Sequence, residues 1–114
     1  MDLGIKGKAA IVTGASRGIG RESARQFLEE GVRVMICGRN AETLERARAE
    51  LAQQTGGEIH AVVADMMKPN DIVRLVESAK KQLGGVDILV NNAGQMYSGR
   101  FNAMTDEGLK EQLE

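Results

Sequence analysis

The sequence predicts an α/β fold in which a parallel sheet carries helices on both of its faces. Four short apolar runs alternate with segments that repeat apolar residues at helical spacing. Strands buried on both faces read as continuous apolar runs, and the helices between them supply the crossovers that parallel strands require. Three glycines follow closely after the first run, which is typical of a tight turn from a strand into a helix. The pattern therefore favours a doubly wound α/β domain.

The four apolar runs are predicted as strands. They comprise residues 9–13, 32–37, 59–64 and 86–90. In a doubly wound sheet these strands take the order 3-2-1-4, joined by right-handed crossovers. The fourth strand then forms a hydrophobic edge, which favours association into a homo-oligomer.

The helices are predicted from apolar spacing and from capping residues. The first covers residues 18–30, and we expect its core-facing stripe to be Ile19, Ser23, Ala24, Phe27 and Leu28. The other boundaries are Asn40 before and Gly56 after the second helix, Pro69 at the start of the third, Gly84 after it, and Thr105 at the start of a fourth. Helical spacing of apolar residues is seen at Leu44, Ala47 and Leu51 in the second helix and at Ile72, Leu75, Val76, Ala79 and Leu83 in the third, which predicts their inner faces.

Composition and charge exclude several function classes. Fifteen Lys and Arg residues against sixteen Asp and Glu residues give a net charge of −1, so neither nucleic acid nor an anionic membrane is an expected partner. Cys37 is the only cysteine and His60 the only histidine, so we predict neither a disulfide nor a metal site. No apolar run approaches the ~20 residues of a membrane span, and the first residues lack a signal-peptide core. We expect a cytoplasmic protein.

The glycine-rich turn after the first strand carries the main functional signal. It reads Thr13-Gly14-Ala15-Ser16-Arg17-Gly18-Ile19-Gly20. Glycines let the backbone approach a pyrophosphate closely, and unpaired N–H groups at the start of the next helix attract the anion. This context predicts a Rossmann-type dinucleotide-binding domain over residues 1–114, although a turn used only for packing is the alternative. The cofactor contacts predicted here are Gly14, Ser16, Gly18, Ile19 and Gly20.

The spacing of these glycines resembles that of the short-chain dehydrogenase/reductase family. The turn has the pattern T-G-x-x-x-G-x-G rather than G-x-G-x-x-G. A second hallmark of that family, Asn91-Asn92-Ala93-Gly94, follows the fourth strand. Two motifs at the correct strand ends are more specific than either alone. The resemblance implies cofactor contacts at Asn91, Ala93 and Gly94.

The end of the second strand favours NADP over NAD. An NAD-binding domain usually places Asp or Glu there, about 20 residues past the glycines, to bind the ribose 2′-OH. Residues 37–40 contain no carboxylate, and Arg39 stands among them. A guanidinium can grip a 2′-phosphate with two charge-assisted bonds, and Arg17 in the glycine turn can reach the same phosphate. In the resembled family, basic residues at these two places accompany NADP preference; the alternative is that both are solvated surface arginines.

Further roles follow from the resemblance. It implies that the Asp65 carboxylate accepts a hydrogen bond from the adenine amino group and that Met66 lines the adenine pocket; a turn or capping aspartate is the alternative. It also implies that Asn91 lies near the cofactor ribose, while Asn92 and Thr13 brace neighbouring strands.

No catalytic residue is predicted in this sequence. The resembled family reduces carbonyl groups with a Tyr-x-x-x-Lys pair, a serine and a helix asparagine. Tyr97 is the single tyrosine, and Phe101 rather than a lysine stands four residues later. Tyr97 also follows the Asn91 motif too closely to be the family's catalytic tyrosine. The resemblance therefore implies an NADP(H)-dependent oxidoreductase acting on a carbonyl, such as a 3-oxoacyl thioester, ketone or aldehyde, with this stretch supplying the cofactor half-site. A non-catalytic nucleotide-binding half-domain, or a truncated remnant that functions through assembly, is the alternative.

Overall fold

The computed structural model describes residues 4–92, which form four strands and three helices. The strands are β1 (Ala9–Thr13), β2 (Arg33–Gly38), β3 (Ile59–Val63) and β4 (Ile88–Val90). The helices are α1 (Gly18–Glu29), α2 (Ala41–Thr55) and α3 (Pro69–Leu83). Each predicted element in this range is confirmed, with ends displaced by at most two residues. The helix predicted from Thr105 lies outside the described residues.

The strands form one parallel sheet in the predicted order, β3-β2-β1-β4. Ile11 in the centre of β1 pairs with Met35 of β2 on one side and with Leu89 of β4 on the other. The register places Thr13 opposite Cys37, so the carboxyl ends of β1 and β2 meet at the same edge of the sheet. Ligands of open α/β sheets bind beyond this edge, which makes it the place to look for a site.

The core lies on both faces of the sheet, because successive side chains of a strand point in opposite directions. Ile11 packs on the face covered by α3, and Val12 packs on the face covered by α1 and α2. The buried residues of α3 are those predicted from its spacing: Ile72, Leu75, Val76, Ala79 and Leu83. The sheet is therefore the middle layer of an α/β/α sandwich. Within residues 4–92 no helix has the length and apolar character needed to cross a membrane.

The predicted core-facing stripe of α1 is wrong at Ile19, which is 79% exposed. The buried positions of this helix are Gly20, Ala24 and Leu28, while Ser23 and Phe27 are only partly buried. The first turn of α1 is rotated so that Gly20 lies against the backbone of Gly14, which turns its neighbour Ile19 to the outside.

Candidate functional site

A cleft lies beyond the carboxyl ends of the strands. It has a volume of about 510 Å³ and is lined by the turn after β1, the end of β2, the loop after β3 and the residues after β4. We call it the strand-end cleft and define it by Gly14, Arg17, Arg39, Asp65 and Asn92, all of which line it. The parallel register thus brings together six of the predicted contacts from three segments that are far apart in the sequence: Gly14, Ser16, Arg17, Arg39, Asp65 and Met66.

The glycine turn requires its glycines for conformational and steric reasons. Gly14 and Gly18 have φ of 60° and 65°, in the left-handed region that favours glycine. A Cβ on Gly20 would lie 2.2 Å from the carbonyl oxygen of Gly14, closer than any real side-chain contact. The first turn of α1 can therefore approach the end of β1 only without a side chain at Gly20.

The start of α1 is left without a side-chain cap. Arg17 is the N-cap residue and caps no backbone group with its side chain, and the first turn of the helix contains no acidic residue. By contrast, the start of α2 is capped by Asn40, whose Oδ1 accepts the N–H of Thr43 over 3.0 Å. Exposed N–H groups and the positive end of a helix dipole favour an anion. This end of α1, next to Ser16 and the exposed Ile19, suits a phosphate group.

A second cavity of about 730 Å³ adjoins the strand-end cleft, and Ser16, Arg17, Gly38 and Arg39 line both. It lies between the first turns of α1 and α2. Four arginines line it, and we call it the arginine pocket: Arg17, Arg21, Arg39 and Arg46. No Asp or Glu is among its lining residues. The cavity is therefore suited to an anion carrying more than one charge.

The four arginines differ in their ion pairing. Arg21 pairs with Glu50 at 2.6 Å, and Arg46 pairs with Glu42 at 3.5 Å. Arg17 and Arg39 pair with no acidic residue between positions 4 and 92. Sequence reasoning identified these two but missed Arg21 and Arg46. The only signal for Arg46 was its helical spacing, three residues beyond Thr43 on the same face of α2.

Asp65 is held in a defined conformation at the end of β3. Its Oδ1 accepts the N–H of Met67 over 2.9 Å, as in an Asx turn. Its own N–H donates to Oδ2 of Asp71 over 2.8 Å. Asp65 is thus a turn aspartate, as the alternative interpretation required, and it also lines the strand-end cleft. One carboxylate oxygen organises the loop, and the other makes no hydrogen bond to the rest of residues 4–92.

Two residues of α3, Asp71 and Arg74, hold the end of β3 and the loop that follows it. Asp71 Oδ2 accepts the N–H of Asp65, and the Nη2 of Arg74 donates to the carbonyl of Val63 over 2.6 Å. The N–H of Asp65 is the main cause that holds the pKa of the Asp71 carboxyl below its usual value, and the charges of Arg74 and Lys68 lower it further. Asp71 therefore stays ionised at neutral pH and keeps the end of β3 in place.

We expect this hydrogen bond to make part of the folding stability dependent on pH. A carboxyl whose pKa is lower in the folded than in the unfolded state stabilises the fold above its unfolded pKa, and that stabilisation is lost as the pH falls through the folded pKa. Asp71→Asn should therefore lower the free energy of unfolding near neutral pH. Its deficit should shrink as the pH falls from about 4, the ordinary pKa that the unfolded carboxyl has, through the lower pKa of the folded carboxyl.

Urea unfolding of the wild type and of Asp71→Asn, near neutral pH and below about pH 4, measures the difference in their free energies of unfolding. Glu77→Gln, an exposed position on the same helix, controls for the loss of one negative charge. A deficit of equal size at both pH values would contradict the assignment of the stabilisation to the ionised carboxylate.

The two asparagines after β4 both bond to Thr13 but differ in their position relative to the strand-end cleft. The Thr13 hydroxyl donates to Asn91 Oδ1 over 3.0 Å and accepts the N–H of Asn92 over 2.9 Å. Asn92 lines the strand-end cleft, whereas Asn91 does not. Consecutive side chains on an extended segment point in opposite directions, so only one of the pair can face the cleft. Asn91 and Thr13 therefore brace β4 against β1, and Asn92 takes the cleft position.

Met66 and Cys37 form the floor of the strand-end cleft. Met66 is buried, as expected for a residue lining an apolar pocket, and its Sδ lies 3.8 Å from the Sγ of Cys37. Burial raises the pKa of the Cys37 thiol to about 12, so this cysteine acts as a buried hydrophobe.

His60 belongs to neither cavity. His60 makes an exposed contact with Glu58 at 2.8 Å. Among residues 4–92 no three His, Cys, Asp or Glu side chains cluster as a metal site would require. Ala93, Gly94 and Tyr97 lie outside the described residues.

Comparison with known proteins gives a consistent family. A family model described as short chain dehydrogenase matches residues 8–114. An uncharacterized oxidoreductase of Bacillus subtilis (strain 168) is 38% identical over 107 residues, which cover 94% of this chain and 40% of that protein. A glucose 1-dehydrogenase of Gluconobacter oxydans is 44% identical over 88 residues, covering 77% of this chain and 33% of the relative.

Solved structures agree with the sequence matches. L-sorbose reductase from Gluconobacter frateurii, complexed with NADPH and L-sorbose, superposes with a TM-score of 0.79 at 37% identity. The superposition covers 99% of this chain and 42% of that one. The chain thus spans between one third and two fifths of the length of the curated relatives named above.

Proposed function

Because the chain belongs to the short-chain dehydrogenase family, we propose that it forms the cofactor half-site of an NADP(H)-dependent oxidoreductase that reduces a carbonyl group. Residues 1–114 would form part of one dinucleotide-binding domain. The cytoplasmic location and the self-association expected from the sequence stay predictions. The proposal rests on the fit between the strand-end cleft, the arginine pocket and the chemistry of the cofactor.

The glycine turn and the uncapped start of α1 would hold the pyrophosphate. Gly14 and Gly18 shape the turn, and the steric limit at Gly20 keeps the helix end close to it. Ser16 lines both cavities, so its hydroxyl would lie between the pyrophosphate and the adenosine ribose. Backbone N–H groups at this helix end supply hydrogen bonds without a side chain in the way. Ile19, exposed beside them, would cover the cofactor on its solvent side.

The observation that carries the preference for NADP is the unpaired state of Arg17 and Arg39. Both line the two cavities at the end of β2, and neither is neutralised by an acidic residue in the described part of the chain. A 2′-phosphate carries close to two negative charges and suits the planar fork of a guanidinium. An NAD-binding domain usually binds the 2′-OH with a carboxylate at the end of its second strand. The only carboxylate that lines either cavity is that of Asp65, which follows β3 rather than β2.

The adenine would lie against the floor of the strand-end cleft. Met66 supplies an apolar surface there, and the second oxygen of Asp65 would accept a hydrogen bond from the adenine amino group. Asn92 would approach the cofactor from the end of β4. Ala93 and Gly94 stay proposed contacts on the basis of the motif.

The cofactor supplies a hydride when it is bound, and the residues described here bind and orient it. No residue between positions 4 and 92 is assigned a catalytic role. L-sorbose is the ligand of the solved reductase named above, and a ketone or aldehyde carbonyl is the substrate class that we propose for this protein.

Incubation of the protein at its natural length with NADPH and a panel of carbonyl compounds tests the proposal, whereas residues 1–114 alone, which contain no predicted catalytic residue, should show no turnover. The panel contains a ketose, a cyclic ketone, an aldehyde and a 3-oxoacyl thioester, and parallel reactions contain NADH. We expect loss of the NADPH absorbance with at least one carbonyl. Tight binding of NADPH without turnover of any member would instead support the non-catalytic binding module.

A further inference from the structure

The arginine pocket contains more positive charge than Arg17 and Arg39 supply. Arg21 and Arg46 complete it, and Asn40 and Thr43 at the first turn of α2 also line it. The positive end of the α2 dipole adds to the same potential. No acidic residue is among the lining residues, so a phosphate in this pocket would contact only positively charged or neutral residues.

The two paired arginines are held with different strength. Arg21 contacts Glu50 at 2.6 Å, and its side chain is only 27% exposed. Arg46 contacts Glu42 at 3.5 Å, and both side chains are largely exposed, at 63% and 84%. An exposed pair of this length within one helix contributes little, because water screens it and two long side chains must be ordered. Arg46 can therefore leave its partner at small cost, whereas Arg21 cannot.

We propose that Arg46 is a third specificity-determining residue for the 2′-phosphate, and that it exchanges Glu42 for the phosphate when the cofactor binds. The proposal rests on the NADP preference proposed above and extends it to α2. A phosphate dianion attracts the guanidinium more strongly than a single exposed carboxylate does, and it accepts two parallel bonds. Glu42 is then a resident competitor that lowers the affinity for the phosphorylated cofactor, and it has no influence on the unphosphorylated one.

The test isolates the 2′-phosphate by comparing two fragments of the cofactor. Calorimetric titration with adenosine 2′,5′-bisphosphate and with adenosine 5′-monophosphate gives the ratio of their affinities for each protein. We expect Arg46→Gln to weaken binding of the bisphosphate about three- to tenfold and Glu42→Gln to tighten it about two- to threefold, because each changes one screened charge next to the phosphate. Neither variant should change binding of the monophosphate.

Arg48 and Glu45 provide the matched control. They form an ion pair at 2.5 Å on the same helix and do not line the arginine pocket. Arg48→Gln and Glu45→Gln make the same charge changes and should leave both affinities unchanged.

The outcomes separate this inference from the function on which it rests. A wild-type protein that binds the two fragments equally would contradict the NADP preference itself. A wild type that prefers the bisphosphate, together with Arg46→Gln of unchanged preference, would overturn the role of Arg46 alone. Weakening by Arg46→Gln without tightening by Glu42→Gln would overturn the exchange of partners.

Discussion

Arg39→Asp is expected to weaken the binding of NADPH by about a hundredfold, close to 2.8 kcal/mol, and to improve the binding of NADH. The change removes a charge-assisted fork from the 2′-phosphate and places a repelling carboxylate at the same position. That carboxylate stands where an NAD-binding domain keeps its acidic residue and can bind a 2′-OH. Because Arg39 is exposed and unpaired within residues 4–92, the fold should not depend on it. Fluorescence titration with both cofactors measures the reversal.

Arg48→Asp is the control for this charge reversal. Arg48 lies within α2, nine residues after Arg39, and it lines neither cavity. Its replacement should leave the NADPH to NADH affinity ratio unchanged. If the ratio for Arg39→Asp equals that of the wild type, Arg39 does not contact the 2′-phosphate and the basis of the proposed preference is wrong.

Gly20→Ala is expected to lower the free energy of unfolding by about 2–4 kcal/mol. The added Cβ would clash with rigid backbone, which cannot move aside as a flexible side chain can. The added Cβ would lie 2.2 Å from the Gly14 carbonyl oxygen and 3.2 Å from the Cα of Ala15. The start of α1 must move away from β1 to relieve this contact. The same movement displaces the N–H groups proposed to bind the pyrophosphate, so affinity for NADPH and NADH should fall together. Urea unfolding and cofactor titration measure the two effects.

Gly56→Ala separates the steric effect from the loss of a glycine. Gly56 has φ of 70° and ends α2 in the left-handed conformation, but a Cβ there meets nothing within 4 Å. We expect it to cost about 1 kcal/mol through backbone strain and to leave cofactor affinity unchanged. Equal destabilisation by the two variants would show that the contact between Gly20 and Gly14 does not limit the approach of α1.

Most of the fold follows from local sequence patterns. The spacing of Leu44, Ala47 and Leu51 predicts the buried face of α2, and these are the residues that the structure buries. Asn40 predicts its start, and the Asn40 side chain accepts the N–H of Thr43 there. Such signals can be read from sequence because capping and helical spacing depend on residues within two turns of each other.

The errors and omissions concern contacts between distant segments. Ile19 has helical spacing with core residues, yet the approach of Gly20 to Gly14 turns it outward. The bond from Asp65 to Asp71 depends on how α3 packs beneath the end of β3.

The arginine pocket shows the same limit. Arg21 and Arg46 belong to different helices, and only the packing of α1 beside α2 brings them into one cavity. Asn91 and Asn92 are neighbours in sequence, and only the structure shows that Thr13 bonds to the side chain of the first and to the backbone of the second. Sequence motifs therefore located the proposed cofactor site, while the contacts around it could be read only from the fold.

Titration of the wild-type protein with NADPH and with NADH under identical conditions is the most direct test of the central claim. The unpaired Arg17 and Arg39, and the lack of a carboxylate at the end of β2, predict that NADPH binds at least about tenfold more tightly, a difference of 1.4 kcal/mol. The difference should shrink as salt is added, because a phosphate at this exposed edge is partly screened. Equal affinity for the two cofactors, or tighter binding of NADH, would contradict the claim.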